Sequence, residues 1–191
     1  MASLRFVAFI VCHTIALNLM VEAYSGGAPE ESCAAMRPGH HVVKGNWSSP
    51  LQEPLGGTPY FSIHVLSGTI TAESQVEVMI KADQHYFQGF SLQVRMAGQT
   101  NISDQVQYGT FTADDETKTI CNSGGLTHKV HKQWTNKTVY WTAPKNPIDN
   151  LEFRATVVKE YNEFFMDVRS SVVNVVGSGV AIVPSLYCWL S

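Results

Sequence analysis

"HYFQGFSLQVR", residues 85–95, decides how the chain folds. Phe90, Leu92, Val94 and Met96 share one parity, while Ser91, Gln93 and Arg95 share the other. Such alternation describes a strand with one buried and one solvated face. Phe87 stands off the parity. Gly89, wedged between the two phenylalanines, would let the chain bulge so that both rings point inward.

The same period recurs on both sides of this stretch. Phe61, Ile63 and Val65 alternate in residues 60–66, and Val76, Val78 and Ile80 in 75–80. Residues 106–112 read as a short strand with an internal glycine. Val139 and Trp141 alternate in 137–144, and Leu151, Phe153, Ala155 and Val157 in 151–158. In 164–170 the inward set is Phe164, Met166 and Val168. Phe61, Phe90, Leu92, Trp141 and Phe153 form the expected core. Residues 24–59 are punctuated by proline and glycine, which prevents a long helix, and read as an irregular arm. Seven or more strands without an amphipathic helix predict an all-β, antiparallel β-sandwich in a single domain.

The chain has 191 residues, enough for a proper core. A net charge of −3 excludes the basic stripe that a nucleic-acid partner requires. Residues 1–23 read as a secretory signal: Arg5, a mostly apolar run from Phe6 to Val21, and small-residue cleavage after Ala23. Sequons at Asn46, Asn101 and Asn136 agree with a secreted, extracellular protein. Cys12 leaves with the signal. Of Cys33, Cys121 and Cys188, the first two lie inside the patterned domain and are the natural pair in an oxidising compartment. The domain is bounded at 24–170. The uncharged tail, 171–191, reads either as a last strand with an apolar end or as a lipid-anchor signal, the only route by which a membrane would become a partner.

No pattern of catalysis stands out. There is no G-x-S-x-G and no cysteine with a matching base. His40 and His41, or His128 and His131, lack a third ligand at a telling spacing, so no metal, cofactor or catalytic residue is expected. The His128 segment reads as a solvated loop, and His64 should face water. "ADDE", 113–116, reads as a solvated acidic turn.

"SCAAMRPGHH", "PYFSIHV", "FQGFSLQVR", "GTFT", "ICNSGGLTHK", "VYWTAP", "LEFRATVV" and "EFFMDVRS" stand in an order that resembles the reeler, or reelin N-terminal, domain family. The resemblance covers about residues 30 to 169. It implies an immunoglobulin-like sandwich, a disulfide between Cys33 and Cys121, and a role like that of stand-alone insect defence proteins of the noduler type. Reductase chemistry found elsewhere in the family is not implied, because the cytochrome-bearing helices have no counterpart here. The expected partners are microbial surface components or glycans, with haemocyte or matrix proteins behind them. The other reading is an adhesion module of matrix or cell surface. Two connections combine cationic, histidine and tryptophan side chains, residues 36–47 and 124–134. A glycan on Asn46 would block the first, so Lys129, His131 and Lys132 are the expected ligand-binding residues.

Overall fold

The computed structural model describes residues 26–38, 60–99, 106–160 and 163–178, and the backbone of 41–44 and 47–50. A 3-10 turn, Glu30–Ser32, comes first. Among the described residues thirteen strands follow: β1 His41–Lys44, β2 Trp47–Pro50, β3 Phe61–Val65, β4 Thr69–Thr71, β5 Gln75–Ala82, β6 Gly89–Met96 and β7 Thr110–Thr112. The rest are β8 Thr117–Ile120, β9 Gly125–His128, β10 Asn136–Thr142, β11 Ile148–Glu160, β12 Glu163–Arg169 and β13 Val173–Val176. β1 and β2 pair as a hairpin.

Two larger sheets face each other. One has the order β3-β5-β10-β7 and is antiparallel throughout. The other has the order β4-β13-β11-β6-β9-β8, with β12 also paired to β11 and a parallel step between β13 and β4. The inward residues of both meet in one core, including Ile63, Val78, Ile80, Val139 and Trp141 from the first sheet. Phe90, Leu92, Val94, Leu126, Phe153 and Val157 come from the second. All five residues expected in the core are buried. The fold is the expected all-β sandwich.

The second face of the 85–95 strand is not wet. Ser91, Gln93 and Arg95 are 5%, 0% and 3% exposed. The arm of residues 26–38 lies over them and supplies partners to Gln93 and Arg95. Gln93 Nε2 donates to the Cys33 carbonyl at 3.1 Å, and Arg95 Nη2 donates to the carbonyls of Cys33 and Ala34 at 2.7 and 3.2 Å. Thr156 Oγ1 on the neighbouring β11 donates to the Met36 carbonyl. Buried polar side chains are stable only when so paired. The Cys33–Cys121 disulfide, with a Cα–Cα distance of 5.7 Å, fastens the arm to the turn after β8. Glu30 Oε2 reinforces it by accepting the Cys121 N–H at 2.8 Å.

Phe87 and Phe90 both point inward, as the expected bulge allows: the Gln88 N–H donates to the Val158 carbonyl at 2.8 Å although Gly89 is the residue paired with Val158, so Gln88 and Gly89 stand together opposite it. β6 then pairs with β11 in regular register from Gly89 to Met96. Phe87 lies ahead of the strand, in a bridge with Trp134. Gly89 is also required for space: a Cβ there would come within 2.6 Å of the His128 ring. A second bulge lies in β12. Ala155 pairs with Val168 and Val157 with Phe165, so Met166 and Asp167 together oppose Thr156. Asp167 takes a φ of 61° there. The extra residue resets the parity, so Phe165 rather than Met166 joins the core with Val168.

β13 realises the strand reading of the tail's first residues, and Val173 and Val175 are in the core. The sheet therefore continues past the boundary drawn at Ser170, and an anchor attached at Ser170, Ser171 or Asn174 would remove all or part of a packed strand. Residues 179–191, the leader at 1–23 and the sequons at Asn46 and Asn101 lie outside the described residues.

Candidate functional site

The connection from β9 to β10 carries the residues expected to bind. β8 and β9 form a hairpin at the sheet edge, Thr117 opposite His128 and Ile120 opposite Gly125. Lys129, His131, Lys132 and Gln133 follow and are exposed. The backbone N–H of Lys129 donates to the Glu116 carbonyl at 2.9 Å, which holds the connection beside the acidic turn.

That turn is no bystander. Glu116 Oε1 pairs with Lys132 Nζ at 2.6 Å. Glu116 Oε2 accepts from Lys137 Nζ at 2.8 Å and from Trp134 Nε1 at 3.3 Å. Asp114 accepts from Lys137 at 2.7 Å, from the Thr117 hydroxyl at 2.7 Å and from the Glu116 N–H at 2.9 Å. Lys132 donates first among the groups that lower the Glu116 carboxyl to about 2, followed by Lys137 and Trp134. Burial raises the Asp114 carboxyl, but hydrogen bonds from Lys137 and Thr117 outweigh it and the group falls to about 2. For Lys137 burial works the other way, and the two carboxylates overcome it and raise the ammonium.

These shifts have a consequence in acid. Both carboxyls ionise more readily folded than unfolded, where the ordinary values are 3.8 and 4.5. Their stabilisation is therefore complete above about pH 5 and is lost as the pH falls toward about 2. Thermal melts between pH 7 and pH 2 should show the melting temperature dropping over this window. Glu116→Gln should have a shallower acid limb than wild type. Parallel limbs would show that the cluster contributes nothing through Glu116.

The expected triad is thus brought to one connection but is not uniform. Lys132 is engaged by Glu116, whereas Lys129 and His131 make no ion pair among the described residues. Trp134 is 5% exposed and stacks on Phe87 at 5.8 Å, so it serves the core rather than a sugar face. His128 belongs to β9, not to a solvated loop. It is buried, and its Nδ1 accepts the Phe90 N–H at 3.2 Å. It cannot join His131 as an exposed metal pair. His64 does face water, beside Ser62. Among the described residues the one cluster of metal-ligand type is Glu30, Cys33 and Cys121, whose sulfurs are bonded to each other. Asn136 is exposed at the start of β10, on the outer face of its sheet, where an oligosaccharide has room.

Two concavities are lined by described residues. One lies between arm and sheet, lined by Ser91, His128, Met36 and Pro29. Its volume, about 40 Å³, suits a water molecule rather than a ligand. Ser91 Oγ lines it and has no hydrogen-bond partner among the described residues. The other is an open groove at the end of the sandwich, lined in part by Tyr86, Gln133 and Glu160. Sequence reading missed it, because its walls come from two connections and the end of β11, far apart in the chain.

The Reeler domain family model matches residues 31–180. The chain is 30% identical over 174 residues to "Putative defense protein 3" of Antheraea mylitta, an alignment spanning 88% of this chain and 96% of that protein. It is also 30% identical over 164 residues to ferric-chelate reductase 1 of Mus musculus, spanning 83% of this chain but 25% of that protein. The human F-spondin reeler domain superposes with a TM-score of 0.52 at 19% identity, covering 65% of this chain and 93% of that one. That likeness concerns the fold alone.

Proposed function

The chain belongs to the reeler domain family, and from that premise we propose that it is a secreted defence-type protein that recognises microbial surfaces by binding, without catalysis. The observation that carries the reading is the end-to-end alignment with a relative named for defence, 96% of which is matched. The match to the reductase spans a quarter of that protein, so its name carries no activity to this chain. Secretion is supported by the Cys33–Cys121 bond and by the exposed sequon at Asn136.

The strands are committed to packing, so recognition falls to the connections. Lys129 and His131 offer charge and hydrogen-bond donors to phosphate or carboxylate groups on a cell surface. Lys132 contributes less, because it would have to leave Glu116.

Binding of purified protein to intact bacteria, at two salt concentrations, tests this. Wild type should bind, and less at high salt. Lys129→Ala with His131→Ala should weaken binding roughly two- to tenfold, the scale of two exposed charge contacts. Lys132→Ala alone should change it less. Equal binding by wild type and the double variant would remove this site. Absence of binding by wild type would favour the adhesion-module reading.

A further inference from the structure

The groove at the end of the sandwich sits over the core residue Trp134 and beside the basic connection, and neither role accounts for its remaining lining. Its floor and walls are built by one interaction. Phe87 and Trp134 exchange two backbone hydrogen bonds of 2.9 Å, which lay the connection before β6 alongside the connection before β10. Gln84 and Tyr86 line one side and Gln133 and Thr135 the other. The last residues of β11, Lys159 and Glu160, close a third side. The groove is open to solvent and offers about 620 Å³, within the range of small-molecule sites.

The chemistry of this lining is specific. Gln84 and Gln133 each bring an amide with two donors and an acceptor, and Thr135 brings a hydroxyl. Glu160 brings a carboxylate, already held by the Tyr86 hydroxyl at 2.7 Å. Tyr86 is half-buried, so part of its ring is presented to the groove as a rigid amphipathic surface. Charge is balanced: Lys159 faces Glu163 at 3.0 Å and stands next to Glu160. A strongly anionic ligand would meet the Glu160 carboxylate, and an apolar one would strand two amides.

We propose that this groove is a saccharide subsite for a neutral glycan, with Tyr86 beneath a sugar ring and Gln84, Gln133 and Glu160 hydrogen-bonding its hydroxyls. The groove adjoins the basic connection, since Gln133 follows Lys132. The subsite thus gives the recognition surface proposed above a ligand class, and it rests on that reading for its biological setting. The sugar has two sources, an external polymer or the chain's own oligosaccharide. Asn136 follows Thr135 at the groove's rim.

The experiment titrates the secreted, glycosylated protein and an Asn136→Gln variant with cellotetraose, mannotetraose and chitotetraose, using heparin as the anionic control. Calorimetry and tryptophan fluorescence, the latter through Trp134 on the groove wall, report binding. At least one neutral tetrasaccharide should bind. Tyr86→Ala should weaken it at least tenfold. Gln133→Ala with Glu160→Gln, both exposed and neutral to packing, should do the same even where the tyrosine variant fails to fold. Binding confined to Asn136→Gln would identify the chain's own glycan as the occupant and supports the subsite. No binding of any neutral probe in either arm overturns it, as does binding unaffected by Gln133→Ala with Glu160→Gln. Loss of whole-cell binding on Lys129→Ala with His131→Ala while these titrations fail would leave the defence reading standing and remove the groove.

Discussion

Replacing Cys33 and Cys121 together by serine is expected to lower stability by about 2 to 5 kcal/mol, toward the upper end of that range. The bond closes a separation of 88 residues, and in the chain-entropy picture so long a loop is worth about 4 to 5 kcal/mol. Two native features decide where in the range the value falls. The arm holds its place by other means as well: Ala28 N–H donates to Thr127 Oγ1 at 3.0 Å, and Glu30 accepts from Cys121. Those contacts stay within reach after the bond is gone. Against this, an arm that leaves strips the partners from Gln93 and Arg95 and lets water reach them. Burial first, then the nearby Arg154, lowers the Arg95 guanidinium to about 10, so rehydrating it recovers part of the loss. Denaturant midpoints of wild type and the double variant measure the sum. Amide exchange localises it: Cys33 and Met36, which bond within the arm, should lose protection, while Leu92 and Val94 in β6 keep theirs. A loss under about 1 kcal/mol would mean that the arm docks without the bond.

The parts of this fold that local alternation could show are the inward rows of β3, β5, β6, β10 and β11. Each follows from a period of two between apolar and polar residues. What alternation could not show is whether the polar row faces water. Ser91, Gln93 and Arg95 have the composition of a wet face, and the carbonyl partners of Gln93 and Arg95 lie about 60 residues away in an arm without periodicity. β8 and β9 were hidden for a related reason: "TKTI" and "GLTH" are too short and too polar to alternate, yet Leu126 and Thr127 are fully buried. Bulges are only partly legible. Gly89 marked the one at the start of β6, while Asp167 makes the other without any glycine. At the candidate site the exposed basic residues were readable, but the Glu116 pairing that ties up Lys132 spans 16 residues and two strands. The groove was not readable at all, since Tyr86, Gln133 and Glu160 are far apart in the chain and are brought together by the Phe87–Trp134 bridge and the β6–β11 pairing.

Trp141→Ala should cost about 3 to 5 kcal/mol, the scale of a large aromatic removed from a core. Trp141 is 0% exposed, in the middle of its sheet, between Val76 on β5 and Phe111 on β7. Its ring meets Phe153 of the opposite sheet edge to face at 5.1 Å, so one side chain joins the two layers. The indole N–H donates to the Tyr108 carbonyl at 2.9 Å. The connection before β7 is shaped around this ring. Gly109 has a φ of 68°, and a Cβ there would lie 2.5 Å from the indole. Truncation therefore opens a cavity between rigid sheets and leaves a carbonyl without its donor, and neither sheet can collapse onto the space without breaking its ladder. Trp141→Phe is the milder change. It keeps a six-membered ring but gives up the N–H and the rest of the indole, so it should cost about 1 to 3 kcal/mol. Phe90→Ala on the facing sheet, with Phe87 and Trp134 packed against its ring, should match Trp141→Ala in scale. Denaturant unfolding of the three variants checks this. A loss below about 1 kcal/mol for Trp141→Ala would mean that the ring does not bridge the sheets. Equal losses for the alanine and phenylalanine variants would place the effect in what both give up, the hydrogen bond to Tyr108 and the part of the indole beyond a phenyl ring.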